Sequence, residues 1–140
     1  MSDDENVAPA AGEGGRWFRF AEEDLRTAVA CLDDGDLPPR QACYFSQQAV
    51  EKALKACLIA CEVVYPRSHD LDYLRNLLPA SWALHKTHGM LGDLTEWLVE
   101  ARYPGDWPDA TEQEARAAVD TAASVLSSLR ADLRRMRGDQ

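Results

Sequence analysis

Tyr44, Gln48, Glu51, Lys52 and Lys55 fall on one face of a helix when the chain is wound at about 100° per residue. Two ammonium groups and a carboxamide in one stripe can make charge-assisted contacts to phosphate. Gln48, Lys52 and Lys55 are therefore candidate nucleotide- or RNA-binding residues. The competing reading is a solvated seam, in which Glu51 pairs with Lys55 at i,i+4 in the favourable acid-first order, contributing roughly 0.2–0.5 kcal/mol. No glycine-rich loop or helix-end nest accompanies the stripe to cradle a phosphate.

Other groups have chemical potential and a plainer alternative. Arg102 and Tyr103 stand before Pro104, where a cation complements the end of a helix. His69 precedes Asp70-Leu71 at the opening of a short helix, so it is either a capping-region side chain or part of a site. His85 and His88 lie three apart without a third ligand in sequence, and no metal site is assigned to them. Arg130, Arg134, Arg135 and Arg137 could meet RNA phosphates, but two aspartates dilute the run and a solvated helix terminus explains it. Trp107, bounded by Pro104-Gly105 and Pro108, is an aromatic that either anchors an interface or packs back on the fold.

The elements that must position these groups are helical. The polar stripe belongs to a second helix whose remaining circumference is mostly apolar or small, including Ala42, Cys43, Phe45, Ala49, Val50, Ala53, Leu54, Ala56, Cys57, Ala60 and Cys61. Such a helix packs on several sides. Pro38 and Pro39 suit its first turn, and the pattern runs to about Glu62 before Pro66. A first helix carries Phe18, Ala21, Leu25, Ala28, Val29 and Leu32, and stops at Asp33-Asp34-Gly35-Asp36. Ser68 can cap a short third helix with Asp70 near its start, and Pro79 follows as a stop. Leu91, Leu94, Leu98 and Ala101 set the buried face of a fourth, whose start is weakened by Gly89 and Gly92. Thr111 and Glu114 form a capping-box pattern for the fifth, buried through Ala115, Ala118, Val119, Ala122, Val125, Leu126, Leu129, Leu133 and Met136. Nothing reads as a strand or a repeat. The expected fold is all-α, an antiparallel up-and-down bundle of four long helices and one short one.

The chain has 140 residues, one domain's worth, and a net charge of −9. Residues 1–15 are acidic and rich in Ala, Gly and Pro, and read as a disordered tail; the bundle spans residues 16–137. The charge argues against broad sequence-independent nucleic-acid binding, while leaving room for a local basic site. Cys31, Cys43, Cys57 and Cys61 sit inside apolar helical patterns and read as small hydrophobes in a reducing cytosol. With no signal peptide and no apolar run long enough to span a membrane, a cytoplasmic location is expected.

Four segments in order resemble the HEPN family, small helical proteins named for a proposed nucleotide-binding role in prokaryotes and higher eukaryotes. They are Ala21-Glu22-Glu23-Asp24-Leu25, the run Tyr44-Phe45-Ser46-Gln47-Gln48-Ala49-Val50-Glu51-Lys52-Ala53-Leu54-Lys55-Ala56, Ser68-His69-Asp70-Leu71, and Ala101-Arg102-Tyr103-Pro104. The resemblance covers about residues 16–133, and the second segment is its most specific part. It implies metal-independent ribonuclease chemistry in a dimer interface, using an arginine followed after four to six residues by a histidine. Arg102 matches the arginine. The histidine positions hold Trp107, Pro108 and Asp109, so the general acid/base is missing from its expected place. Related proteins are often encoded beside a minimal nucleotidyltransferase as toxin–antitoxin or two-subunit pairs. This chain carries no Gly-Ser followed by paired aspartates, and resembles the helical half alone.

The sequence thus reads as a homodimeric, nucleotide- or RNA-associated subunit of a HEPN–nucleotidyltransferase pair. Candidate binding residues are Gln48, Lys52, Lys55, His69, Arg102 and Tyr103, with no catalytic residue, cofactor or metal assigned. The alternatives are a ribonuclease toxin with a displaced histidine such as His69, or a non-catalytic helical interaction module.

Overall fold

A computed structural model describes residues 12–97 and 109–138, and the described residues form helices and turns without a strand. The first helix, α1, spans Glu13–Asp33. It begins inside the stretch read as tail, and Gly14 shows how that turn is seated. A Cβ on Gly14 would stand 3.0 Å from the Ala56 carbonyl oxygen, so its absence lets α1 lie close against the second helix.

The second helix, α2, spans Pro39–Ala60 with Pro38 as its N-cap and Pro39 in the first position, where a missing N–H leaves no bond unmade. It is the centre of the molecule. Ala42, Cys43, Ala49, Val50, Ala53, Leu54, Ala56, Cys57 and Leu58 are all buried, and they occupy most of its circumference. The helix ends two residues before the expected boundary. There the Val63 N–H donates to the Leu58 carbonyl at 2.9 Å, while Glu62 takes a left-handed φ of 58°. This is the Schellman arrangement, with glutamate where glycine is usual.

Three short helices follow: α3 (Leu71–Asn76), α4 (Leu84–Thr87) and α5 (Gly92–Thr95). Asp70, rather than Ser68, is the N-cap of α3. Its Oδ1 accepts from the Asp72 and Tyr73 N–H groups, and Ser68 Oγ accepts from the Asp70 N–H one step earlier. The α4 turn was not signalled by the sequence pattern; its lead-in is tied to the bundle through the Ala83 N–H donating to the buried Asp132 carboxylate. Arg75 closes the loop between α4 and α5 by donating to Asp72 Oδ1 at 2.7 Å and the Gly89 carbonyl at 2.6 Å. Of the expected fourth helix the described residues hold α5, with Leu94 buried, and Leu98 and Ala101 lie outside them.

The last helix, α6, spans Glu112–Arg137. Its capping box forms as expected: the Glu114 N–H donates to Thr111 Oγ1 at 3.0 Å and the Thr111 N–H donates to Glu114 Oε1 at 2.9 Å. The anticipated face is buried from Ala115 to Leu133, but Met136 is exposed, as is Val29 on α1. Met136 lies past the last turn in which α6 faces the core, and instead its sulfur receives the Cys61 thiol at 3.5 Å. Cys43 lies near Glu114 and Cys61 near Met136, so α2 and α6 run in the same direction. The α1 helix runs opposite to both, and the result is an up-and-down helical bundle.

The cysteines are free thiols. Burial pushes the Cys43 thiol up to about 11 and Cys57 higher still, so both behave as hydrophobes in the core. The left-handed residue at the end of α2 yields a stability prediction. Glu62→Gly relieves the left-handed cost of a side chain at that φ, offset in part by glycine's larger entropy in the unfolded chain. It should stabilise the fold by about 0.5–1 kcal/mol, read as a rise in the urea midpoint at unchanged m-value.

Candidate functional site

Glu51 is the hub of the polar residues on α2. Although only 6% exposed, its carboxylate has three partners. Gln47, one turn earlier, donates from Nε2 to Oε1 at 3.0 Å, and Lys55, one turn later, donates from Nζ to Oε2 at 2.9 Å. His69 reaches in from the loop before α3, with Nδ1 at 3.0 and 3.2 Å from the two oxygens. The i,i+4 spacing of Gln47, Glu51 and Lys55 places all three on one line of the helix. Gln48 extends the network by donating to Gln47 Oε1 at 2.6 Å.

The geometry gives the Ser68-His69-Asp70-Leu71 segment a physical role. Leu71 is fully buried and Asp70 caps α3, so the backbone immediately after His69 is held at two successive residues. His69 is thereby aimed at Glu51. A carboxylate only accepts, so the contact puts the proton of a neutral His69 on Nδ1 and leaves the basic lone pair on Nε2. The His69 side chain remains 40% exposed while that of Glu51 is 8% exposed. The arrangement is an imidazole at the surface, oriented by a carboxylate beneath it. Chemically, such a pair can accept or deliver a proton.

Burial alone would raise the Glu51 carboxyl. The hydrogen bond and charge of Lys55, with Gln47 and His69 in support, outweigh that and hold it below the usual carboxylate range. Tyr65 lies within the field of the same carboxylate, and burial together with Glu13 and Glu51 raises its phenol. Lys52 faces a different way along the stripe. Its Nζ donates to Asp24 Oδ2 of α1 at 2.6 Å, joining α1 to α2 by a half-buried ion pair.

The structure therefore brings Gln48, Lys55 and His69 together around Glu51 and sets Lys52 beside them on Asp24. Both ammonium groups already donate to carboxylates, and the stripe is largely internal wiring between α1, α2 and the His69 loop. Arg102, Tyr103 and Trp107 lie outside the described residues. Two participants were missed at the sequence level. Gln47 stands one turn before Glu51, which was the signal for it; Asp24, in the Ala21–Leu25 segment, is the acid there that pairs with a cation on α2. His85 Nε2 meets the Pro79 carbonyl at 3.0 Å and His88 Nδ1 meets Thr87 Oγ1 at 3.0 Å. No cluster fit to hold a metal ion is found among the described residues. Nor is any helix among them long and apolar enough to cross a membrane.

Removing Glu51 tests this wiring. Glu51→Ala leaves the Lys55 ammonium buried beside no carboxylate and should cost about 3–5 kcal/mol at neutral pH. Glu51→Gln, which keeps the shape, should cost less. Because the folded carboxyl is lowered, its contribution is present above the unfolded value and lost as pH falls through the folded one. The stability gap between wild type and Glu51→Gln should accordingly narrow on acidification, as measured by urea unfolding across the acid range.

A family model described as the HEPN domain matches residues 15–132. A Methanocaldococcus jannaschii protein named "Putative toxin MJ1304" is 28% identical over 137 residues, covering 87% of this chain and 89% of that one. The crystal structure of TT1696 from Thermus thermophilus superposes with a TM-score of 0.72 at 27% identity, over 86% of this chain and 98% of the other. That of ST0689, an archaeal HEPN homologue, gives a TM-score of 0.64 at 25% identity, over 86% and 97%. With most of its length matched by the family model and its helices following those of solved relatives, the chain belongs to the HEPN domain family.

Proposed function

We propose that this chain is the helical subunit of a toxin–antitoxin-type pair with a minimal nucleotidyltransferase, that it works as a homodimer, and that it associates with nucleotide or RNA. Family membership and the toxin name of the Methanocaldococcus relative support the class. The observation that carries the reading is the His69–Glu51–Lys55 network, a surface imidazole held by a buried, ionised carboxylate. Ligand contact would come from the face bearing Gln48, Lys52, Lys55 and His69, completed by Arg102 and Tyr103. Lys55 acts there through Glu51, and Lys52 would exchange its Asp24 contact for phosphate.

A second reading is favoured by one specific contact. The His69 Nδ1 bond to Glu51 is the geometry that prepares Nε2 as a general base. On that reading His69 replaces the histidine missing after Arg102 and the chain is a ribonuclease toxin.

Two measurements separate these. Affinity-tagged chain, expressed in its own host and examined by native and intact-mass spectrometry, should carry a stoichiometric nucleotidyltransferase or an added nucleotide mass. A clean, unmodified chain with no partner would overturn the pairing and leave a non-catalytic interaction module. Incubation of the purified protein with RNA addresses the second reading. Cleavage that falls about 10²–10⁴-fold in His69→Ala would establish it, and intact RNA with a well-folded wild type would exclude it.

A further inference from the structure

A second polar region lies between α1 and the C-terminal half of α6. There a groove of about 420 Å³ is lined by Gly15, Phe18, Arg19, Glu22, Arg130, Leu133, Arg134 and Arg137. The lining residues recur at three- and four-residue spacing on both helices, so each helix contributes one continuous edge. Phe18 and Leu133 are buried and form an apolar floor. Arg130 lies over the Phe18 ring, 5.5 Å from its centroid, and donates to Glu22 Oε2 at 2.5 Å. Arg19, Arg134 and Arg137 line the edges and are exposed.

In a chain of net charge −9, four arginines against one carboxylate make this groove a local reversal of sign. The single acid of the lining is already held by Arg130, so the field from Arg19, Arg134 and Arg137 is not cancelled within the groove. Guanidinium forks match phosphate oxygens in pairs. Arg130, Arg134 and Arg137 extend over about 10 Å of helix, a length that lets them meet successive phosphates of one extended strand. Arg130 covers the one aromatic ring among the described lining residues, so the groove offers no bare aromatic face to a base.

We infer that the α1–α6 groove binds the phosphodiester backbone of single-stranded RNA, without base selection, through Arg19, Arg134 and Arg137, with Arg130 fixed over the Phe18 floor. This deepens the proposed RNA association and rests on it. The groove supplies a hold on the strand that the internally paired lysines of α2 do not.

The test is fluorescence anisotropy of a labelled oligouridylate with the full chain. Wild type should bind, and its affinity should fall about 20-fold between about 50 and 200 mM salt, as three phosphate contacts require. Arg134→Glu with Arg137→Glu should lose at least about tenfold in affinity at the lower salt and flatten that dependence. The milder Arg134→Gln with Arg137→Gln should lose part of it, which guards against a folding defect in the charge-reversed protein. Arg116→Glu, at an exposed ion pair near the start of α6, should leave binding unchanged. Binding that survives both double variants but is lost in Lys52→Ala would overturn the groove and leave RNA association intact. Absence of RNA binding by wild type, or binding of a polyglutamate peptide in preference to the oligouridylate, would overturn both together.

Discussion

A carboxylate withdrawn from water costs several kcal/mol unless positive charge and donors replace its hydration. Glu51 meets that demand with one residue from the preceding turn, one from the following turn and one from a separate loop. The first two come with the helix. The third does not, and so the loop after α2 must return to α2 at a fixed height. Asp70 and Leu71 secure that return, one as a cap and one in the core. The position of α3, and through Asp72 and Arg75 that of the α4–α5 loop, follows from it.

The charges of this protein are thus divided by task. Glu51, Lys52 and Lys55 of α2 are paired and largely buried, and they orient His69 and join α1 to α2. On the C-terminal half of α6, Arg134, Arg135 and Arg137 are exposed, while Asp132 is buried and Arg130 is held by Glu22. A HEPN bundle that lacks a histidine after Arg102 still carries an oriented imidazole beside α2 and a concentrated cationic edge on α6.

Much of the bundle was legible because its helices announce themselves twice, by apolar spacing and by caps. The Thr111 and Glu114 capping box and the proline start of α2 formed where the residues indicated. Short elements were less legible. In α4 a single buried leucine does the packing, and its lead-in is tied by Asp132, a residue remote in sequence. Asp70 displaced Ser68 as the cap because both can accept from the N–H two positions ahead, and only three-dimensional placement chooses between them. At the candidate site the Glu51–Lys55 pair was readable from spacing. The Asp24 and His69 partners were not, because each comes from another element and depends on how far α1 and the loop approach α2.

The thiols of Cys43 and Cys57 sit near opposite ends of the central helix, buried and held protonated. Only a thiolate in contact with solvent reacts at a useful rate. An alkylating reagent therefore reaches each sulfur when its own end of α2 parts from α1 and α6. The two side chains are natural clocks for local opening. Their relative rates of labelling report which end of the bundle lets go first, the end beside Glu114 or the end where Met136 covers Cys61.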